Sequence, residues 1–149
     1  MATLKILIFP DPRLRTVAEP IKEVDNSIAK LAEDMFETMY EGDGIGLAAT
    51  QVDIHKRIIV IDISNEKNAP LVLINPKIKR IISNEKKSYS EGCLSVPGIY
   101  EELERPSAVE IDALGLDGKE FTLVAEDLLS VVIQHEMDHL DGKMMVDFL

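Results

Sequence analysis

Residues 127–139 read DLLSVVIQHEMDH, a stretch that combines a helical pattern with two closely spaced histidines. Five of its residues recur at i, i+3, i+4, i+7 and i+11, the spacing of one face of an α-helix: Leu128, Val131, Val132, His135 and His139. The spacing predicts a helix that begins at Asp127. Because the two histidines continue the apolar stripe, we expect them to extend a buried face.

The same stretch contains the pattern His-Glu-x-x-His. Two histidines four residues apart lie one above the other on a helix, so both imidazoles can bind one metal ion. Glu136 can then lie beside an open coordination position and accept a proton from water. The pattern predicts metal-assisted hydrolysis. A histidine pair that is only a hydrogen-bonded part of the helix face is the alternative, and Glu136 taken alone could equally be a solvated residue.

Cys93 is the candidate for a third ligand, because catalytic sites of this type usually have three protein ligands and a water molecule. It is the only cysteine and lies in residues 91–98, EGCLSVPG, where glycines and a proline constrain the backbone. A thiolate with two imidazoles suits zinc, iron(II), nickel or cobalt, and ligand softness does not choose among them. An ordinary buried cysteine is the alternative interpretation.

Three other features have simpler interpretations when residue type alone is considered. Asp138 is predicted to make a salt bridge or support a ligand rather than bind the metal. Gly44-Ile45-Gly46 lacks the Lys-Ser/Thr ending of a phosphate-binding loop and predicts a turn. Gln51 lies in an otherwise apolar segment, where an amide is usually a surface or capping group.

The composition limits the class of protein. A chain of 149 residues with 46% apolar content predicts one domain, residues 1–149, with enough core to fold without disulfides. The net charge of −11 argues against a basic nucleic-acid-binding surface. The single cysteine excludes an internal disulfide and fits a reducing compartment. Because no apolar run is long enough to cross a bilayer and residues 1–5 do not resemble a signal peptide, we expect an intracellular protein.

Local patterns predict the other elements. Residues 28–39 have helical spacing after the capping oxygen of Asp25, and that helix should stop at Gly42. Residues rich in isoleucine, valine and leucine predict strands at 57–63, 70–75 and 77–82. Residues 109–114 and 119–124 flank an Asp-Gly turn and predict an antiparallel hairpin. A helix, then strands, then a helix indicate an α+β domain.

Three segments taken together resemble the three signature motifs of peptide deformylases. They are residues 44–51 (GIGLAATQ), 91–95 (EGCLS) and 135–139 (HEMDH), and they occur in the family's order. Residues 8–15 (IFPDPRLR) are also similar to the family's N-terminal segment. The resemblance therefore covers nearly the whole chain. It implies antiparallel or mixed sheets packed around a central metal-binding helix, with an N-terminal helix.

The resemblance implies an enzyme that removes the formyl group from the N-terminal formylmethionine of new polypeptides and releases formate. Three residues would bind the catalytic metal: Cys93, His135 and His139. The metal would be iron(II) in the cell, with zinc, nickel or cobalt as possible occupants of the purified protein. Glu136 would be the acid and base, and the amide of Gln51 with the backbone N–H of Leu94 would stabilise the oxyanion.

Five residues match family positions that line the methionine pocket or contact the peptide backbone: Ile45, Gly46, Leu128, Val131 and Val132. The apolar residues could otherwise belong to the core, and Gly46 could be only a turn glycine. The partners implied are N-formylmethionyl peptides, with transient proximity to the ribosome, no direct nucleic-acid site, no membrane and a monomeric state. The expected location is the cytoplasm of a bacterium, or of its host for a phage protein, with an organelle left open.

The chain departs from many bacterial members in two places. Ten residues follow His139, where those members carry a further helix. Residues 98–102 lack the arginine that some members place there to hold the peptide. Two other functions stay open. A zinc endopeptidase shares His-Glu-x-x-His, although Cys93 argues against it. A silent fold that only binds peptides is opposed by intact Glu136 and Gln51.

Overall fold

The computed structural model describes residues 3–144 and residue 147, apart from the side chains of residues 84, 87–89 and 101. Its strands are β1 (Gly46–Ala48), β2 (Ile58–Ile61), β3 (Leu71–Cys93), β4 (Val96–Leu114) and β5 (Glu120–Glu126). Its α-helices are α1 (Asn26–Glu41) and α2 (Asp127–Leu140), and short 3-10 helices lie at Pro12–Arg15 and Ala49–Val52. The predicted α+β class with an N-terminal helix is confirmed.

The five strands form one sheet in which spatial order follows chain order, and each neighbouring pair is antiparallel. Parallel pairing in the described residues is limited to the isolated bridge between Glu19 and Lys56. The predicted hairpin is confirmed, since Leu114 pairs with Glu120 across the turn that contains Gly118. Gly118 has a φ of 77°, a conformation that glycine adopts readily.

Helix α1 has the predicted position because its ends are chemically marked. The side chain of Asp25 accepts hydrogen bonds from the backbone N–H groups of Ser27 and Ile28, at 3.0 and 3.3 Å. At the other end the N–H of Gly42 donates to the carbonyl of Thr38. One helix face is buried, as the spacing predicts.

Strand β3 is longer than the apolar pattern of the sequence predicts. The pattern predicts separate segments at 70–75 and 77–82, whereas β3 is one strand that continues to Cys93. Residues 83–92 are mostly polar and pair with β4 through the backbone, with several register shifts. Backbone pairing needs no apolar side chains, so the spacing of apolar residues did not predict a strand at residues 83–92. The long β3–β4 hairpin carries Cys93 to α2.

Strand β2 divides the core. Ile59 and Ile61 pack with one cluster that includes Val132 and Ile133 of α2, whereas Ile58 and Val60 pack with the residues of α1. Successive side chains of a strand point to opposite faces, so each helix covers one face of the sheet. Helix α2 is therefore held against the sheet. Among the described residues, no helix is long and apolar enough to span a membrane.

Candidate metal centre

Helix α2 brings the two histidines of the His-Glu-x-x-His pattern together. Both side chains are buried, and the Nε2 atoms of His135 and His139 lie 3.2 Å apart. The histidines lie about one turn apart because four residues slightly exceed the 3.6 residues of a helical turn. The face they extend is buried as predicted, except that Leu128, at its start, is 37% exposed.

Cys93 completes a three-donor cluster at the end of β3. Its Sγ lies 3.3 Å from Nε2 of His139, and the ligand atoms of Cys93, His135 and His139 all lie within 4.8 Å of one another. A tetrahedral ion bonded to sulfur at about 2.3 Å and to nitrogen at about 2.0–2.1 Å holds such donors about 3.3–3.6 Å apart. The donor set therefore fits a divalent metal, and the separations of 3.2 Å between the imidazoles and 3.3 Å between Cys93 and His139 are close to that spacing.

A buried carboxylate orients the first histidine. Nδ1 of His135 donates to Oε1 of Glu91 at 2.8 Å, because an ionised carboxylate can only accept. This bond leaves Nε2 free to face the other donors, an arrangement typical of metal-binding histidines. Burial raises the pKa of Glu91, but hydrogen bonds from His135 and Arg105 outweigh it and hold that pKa below its usual value.

Arg105 of β4 connects Glu91 to the helix. Its Nε and Nη2 donate to Oε2 and Oε1 of Glu91 at 2.7 and 3.0 Å, and its Nη1 donates to Oδ2 of Asp138 at 2.8 Å. The salt bridge predicted for Asp138 is confirmed. The sequence did not single out Glu91 or Arg105. One feature of the sequence could have drawn attention to Arg105: it is the only basic residue between residues 88 and 118.

Glu136 is buried beside the donor cluster and against β1. A Cβ atom on Gly46 would lie 2.6 Å from Oε2 of Glu136, so the carboxylate touches the backbone of that strand. Its Oε1 has no hydrogen-bond partner among the described residues. Burial raises the pKa of Glu136, and the opposing charge of His135 leaves it at about 7. A carboxyl group in this range can both accept and return a proton near neutral pH.

Opposite environments act on the two imidazoles of the metal-free protein. Burial lowers the pKa of His135, but the charges and hydrogen bonds of Glu136, Cys93 and Glu91 outweigh it and raise that pKa to about 10. Burial and the charge of His135 lower the pKa of His139 well below its usual value. One imidazole is thus protonated and the other neutral, so a metal must displace the proton of His135 to bind both.

Gln51 directs its amide group toward Cys93. Its Oε1 accepts the backbone N–H of Ala48 at 2.9 Å, which fixes the orientation of the side chain. Its Nε2 then donates to Oγ of Ser95 at 3.2 Å and to Sγ of Cys93 at 3.5 Å. The sequence did not reveal the contact with Ser95, because that residue is far from Gln51 in the chain.

Leu94 lies in the turn between β3 and β4, directly after Cys93. Its side chain packs against two glycines at the end of α1, since Cβ atoms on Gly42 and Gly44 would lie 2.9 and 2.8 Å from its methyl groups. A larger residue at either position would push these methyl groups aside. This packing fixes the turn that carries the Leu94 backbone N–H.

A cavity of about 450 Å³ opens above these residues. Two groups line it. The polar group comprises Cys93, His135, Glu136 and Gln51, and the second comprises the five predicted peptide-contact residues, Ile45, Gly46, Leu128, Val131 and Val132. The structure therefore brings every predicted site residue to one cavity or to the donor cluster beside it. A cavity of this size and mixed lining can hold a short peptide.

The chain matches known proteins over its whole length. The family model described as "Polypeptide deformylase" matches residues 3–149. A peptide deformylase of Azotobacter vinelandii is 60% identical over 149 residues, covering 100% of this chain and 88% of that protein. Peptide deformylase 1 of Pseudomonas syringae pv. tomato is 58% identical over 149 residues, with the same coverage of both.

Solved structures give the same result. The crystal structure of a peptide deformylase from Legionella pneumophila matches with a TM-score of 0.94 and 45% identity, covering 99% of this chain and 86% of that one. That of the Ehrlichia chaffeensis enzyme in complex with actinonin matches with a TM-score of 0.95 and 42% identity, covering 100% of this chain and 90% of that one.

Proposed function

Because this chain belongs to the polypeptide deformylase family, and so removes the formyl group from the N-terminal methionine of new polypeptides, we propose residue roles for that reaction. Three residues bind the catalytic metal: Cys93, His135 and His139. Glu136 moves the protons. The observation that carries this proposal is the convergence of the three donor atoms within 4.8 Å, beside a buried carboxylate in a peptide-sized cavity.

The proposed metal is iron(II) in the cell, and purified protein would also accept zinc, nickel or cobalt. One thiolate and two imidazoles form a donor set that suits each of these ions. An ion held there would supply Lewis acidity for the formyl carbonyl and would lower the pKa of a water molecule. Glu91 supports this role because its hydrogen bond to Nδ1 leaves Nε2 of His135 facing His139, where the two imidazoles would hold the ion.

Glu136 accepts a proton as water attacks the formyl carbon. Its buried Oε1, which has no hydrogen-bond partner among the described residues, is the oxygen available for that proton, since Oε2 lies against Gly46. The same proton then passes to the methionine nitrogen as the C–N bond breaks, so formate and a free amine leave and the carboxylate is restored. A buried carboxylate with a pKa of about 7 is suited to both transfers.

Gln51 and the backbone N–H of Leu94 donate to the oxyanion that forms when water adds to the formyl carbon. The carbonyl of Gln51 is already bound by Ala48, so its amide group is held in place before substrate arrives. Preorganised donors of this kind stabilise the transition state because they need no reorientation during the reaction. Breaking the contact with Ser95 would free one N–H for the substrate.

In this proposal the methionine side chain lies against the first turns of α2 and the residue before β1. Val131 and Val132 form the buried wall on the helix side, Ile45 lines the other side, and Gly46 closes the pocket where it contacts Val132. The enzyme acts as a monomer on N-formylmethionyl peptides in the cytoplasm, close to the ribosome that produces them. Its bacterial relatives support this location.

The test is formate release from a formyl-Met-Ala-Ser peptide by protein purified without oxygen, with its metal content measured. We expect formate and about one metal per chain. Internal cleavage of an unblocked peptide would instead indicate an endopeptidase. Glu136→Gln keeps the shape of the side chain but removes the base, so it should retain the metal and lose turnover. Full activity of that variant would refute the role of Glu136.

A further inference from the structure

Asp62 is a buried carboxylate outside the donor cluster, directly after β2. The residue is 3% exposed, and the hydroxyl of Tyr40, at the end of α1, donates to its Oδ2 at 2.6 Å. The N–H of Ser64 donates to Oδ1 at 2.9 Å, and the N–H of Ala69 donates to Oδ2 at 3.3 Å. Burial raises the pKa of Asp62, but the hydrogen bonds from Ser64 and Tyr40 outweigh it and hold that pKa below its usual value. Asp62 is therefore an ionised acceptor that fastens the end of α1 to the loop after β2.

Asp62 and Tyr40 also hold the segment that forms one wall of the cavity. Residues 42–46 line the cavity between the end of α1 and β1. The backbone N–H of Asp62 donates to the carbonyl of Ile45 at 2.9 Å, and the carbonyl of Tyr40 accepts from the N–H of Asp43 at 3.1 Å. The bond between the two side chains thus joins the residue that holds Asp43 to the residue that holds Ile45.

This wall segment needs support because its backbone can adopt other conformations. Three of the five residues at 42–46 are glycine, the residue with the most backbone freedom. Asp43 has a φ of 56°, in the left-handed region that a residue with a Cβ adopts less readily. Ile45 is 42% exposed, so the core covers little more than half of it. The position of Ile45 therefore depends largely on the hydrogen bonds that Asp62 and Tyr40 make.

The wall can move without moving the groups that carry out the chemistry. Gly46, against which Glu136 lies, is paired with Ile61 of β2, whereas Ile45 precedes the paired residues of β1. The three donor residues belong to β3 and α2. Losing the bond between Tyr40 and Asp62 should thus disturb the contact with the substrate side chain more than the catalytic step.

We propose that Tyr40 and Asp62 are positioning residues for substrate binding, whose hydrogen bond holds Ile45 against the methionine side chain of the substrate. This inference rests on the proposed function. The same bond could serve only to stabilise the fold. A purely stabilising bond changes Tm alone, whereas a positioning bond also changes which N-terminal residue the enzyme prefers.

The experiment measures kcat and KM for formyl-Met-Ala-Ser and formyl-Ala-Ala-Ser peptides, together with the Tm and metal content of each protein. Tyr40→Phe keeps the ring, which stacks on Phe36 with centroids 5.9 Å apart, and removes only the hydroxyl. It should lower the methionine-to-alanine ratio of kcat/KM about five- to tenfold, through a higher KM for the methionine peptide, since alanine has no atoms beyond Cβ to contact the wall. Asp62→Asn should have the same effect.

Asp112→Asn is the matched control for these variants. Asp112 also accepts a hydrogen bond from a hydroxyl, that of Thr122 at 2.7 Å, but it lies outside the cavity lining. This variant should keep the parent ratio. Tyr40→Phe decides the question by itself if Asp62→Asn does not fold.

The outcomes separate this inference from the function on which it rests. A parent protein that releases no formate from either peptide overturns the proposed function and the inference together. Formate release with the parent ratio in Tyr40→Phe overturns the inference alone, even where Tm falls, and so does an equal fall of the ratio in Asp112→Asn. A ratio that falls in Tyr40→Phe through KM, with kcat and metal content retained, and stays unchanged in Asp112→Asn supports it.

Discussion

Replacing Arg105 with alanine removes the arginine that makes two of the hydrogen bonds to Glu91 in the described structure, and we expect a large loss of stability. The side chains of Arg105 and Glu91 are only 10% and 4% exposed. The substitution breaks two hydrogen bonds to Glu91 and one to Asp138. Removing one partner of a buried ion pair costs about 3–5 kcal/mol when the other charge stays buried without compensation, and the remaining contact of His135 with Glu91 places the expected loss toward the lower end of that range. The free energy of unfolding should fall by about that amount.

The same substitution should change how stability depends on pH. The pKa of Glu91 is held below its usual value, so its contribution to stability is present above the unfolded-state pKa and is lost as the pH falls through the folded-state pKa. Without Arg105 that pKa rises toward or above the unfolded value. The parent should therefore lose more stability than the variant when both are acidified.

Urea unfolding of the metal-free proteins measures this loss, with Arg80→Ala as the matched control. Arg80 makes a 3.1 Å salt bridge to Glu110 across the same two strands, but its side chain is 68% exposed. An exposed pair contributes about 1 kcal/mol or less, so the control should be close to the parent. Arg105→Lys keeps the charge but not the planar pair of donors, so its free energy of unfolding should lie between those of Arg105→Ala and Arg80→Ala.

Metal affinity provides a second measurement on the same variants. Glu91 orients His135, and losing such an outer hydrogen bond typically weakens metal binding about 10- to 100-fold. Competition with a chelator should show weaker metal binding in Arg105→Ala, where Arg105 no longer holds Glu91 in place. Metal binding by Arg80→Ala should not change. Equal unfolding free energies for these two alanine variants would refute the argument that burial makes the Arg105 network important.

Two further predictions concern Gly46 and His135. A Cβ at position 46 would lie 2.6 Å from Oε2 of Glu136 and 2.9 Å from Cγ1 of Val132, so Gly46→Ala should displace the carboxylate and lower kcat by about 100-fold. Retained kcat, in a variant whose Tm shows that it folds, would contradict that contact. Because the pKa of His135 is raised to about 10, metal binding at pH 7 should release a proton and tighten as the pH rises. Calorimetry in buffers of different ionisation enthalpy measures this release, and a binding enthalpy independent of buffer would contradict it.

Local patterns in the sequence were enough to place the helices and the catalytic pattern. The 3.6-residue spacing of α2 and the oxygen of Asp25 at the start of α1 depend on neighbours within one or two helical turns, so they can be read along the chain. The spacing of His135 and His139 follows from the helix itself. The family resemblance added Cys93, Gln51 and Leu94 as partners of that helix.

The tertiary structure decided what surrounds the donor cluster. Strand β3 runs past its apolar pattern to Cys93, because it is held by backbone pairing with β4, which has little sequence signature. Glu91 and Arg105 are fourteen residues apart and meet only because the register of that hairpin and the packing of α2 bring them together. Tyr100 and Gly92 meet for the same reason. Contacts between segments depend on how the elements pack, whereas periodicity records only which face of each element is buried.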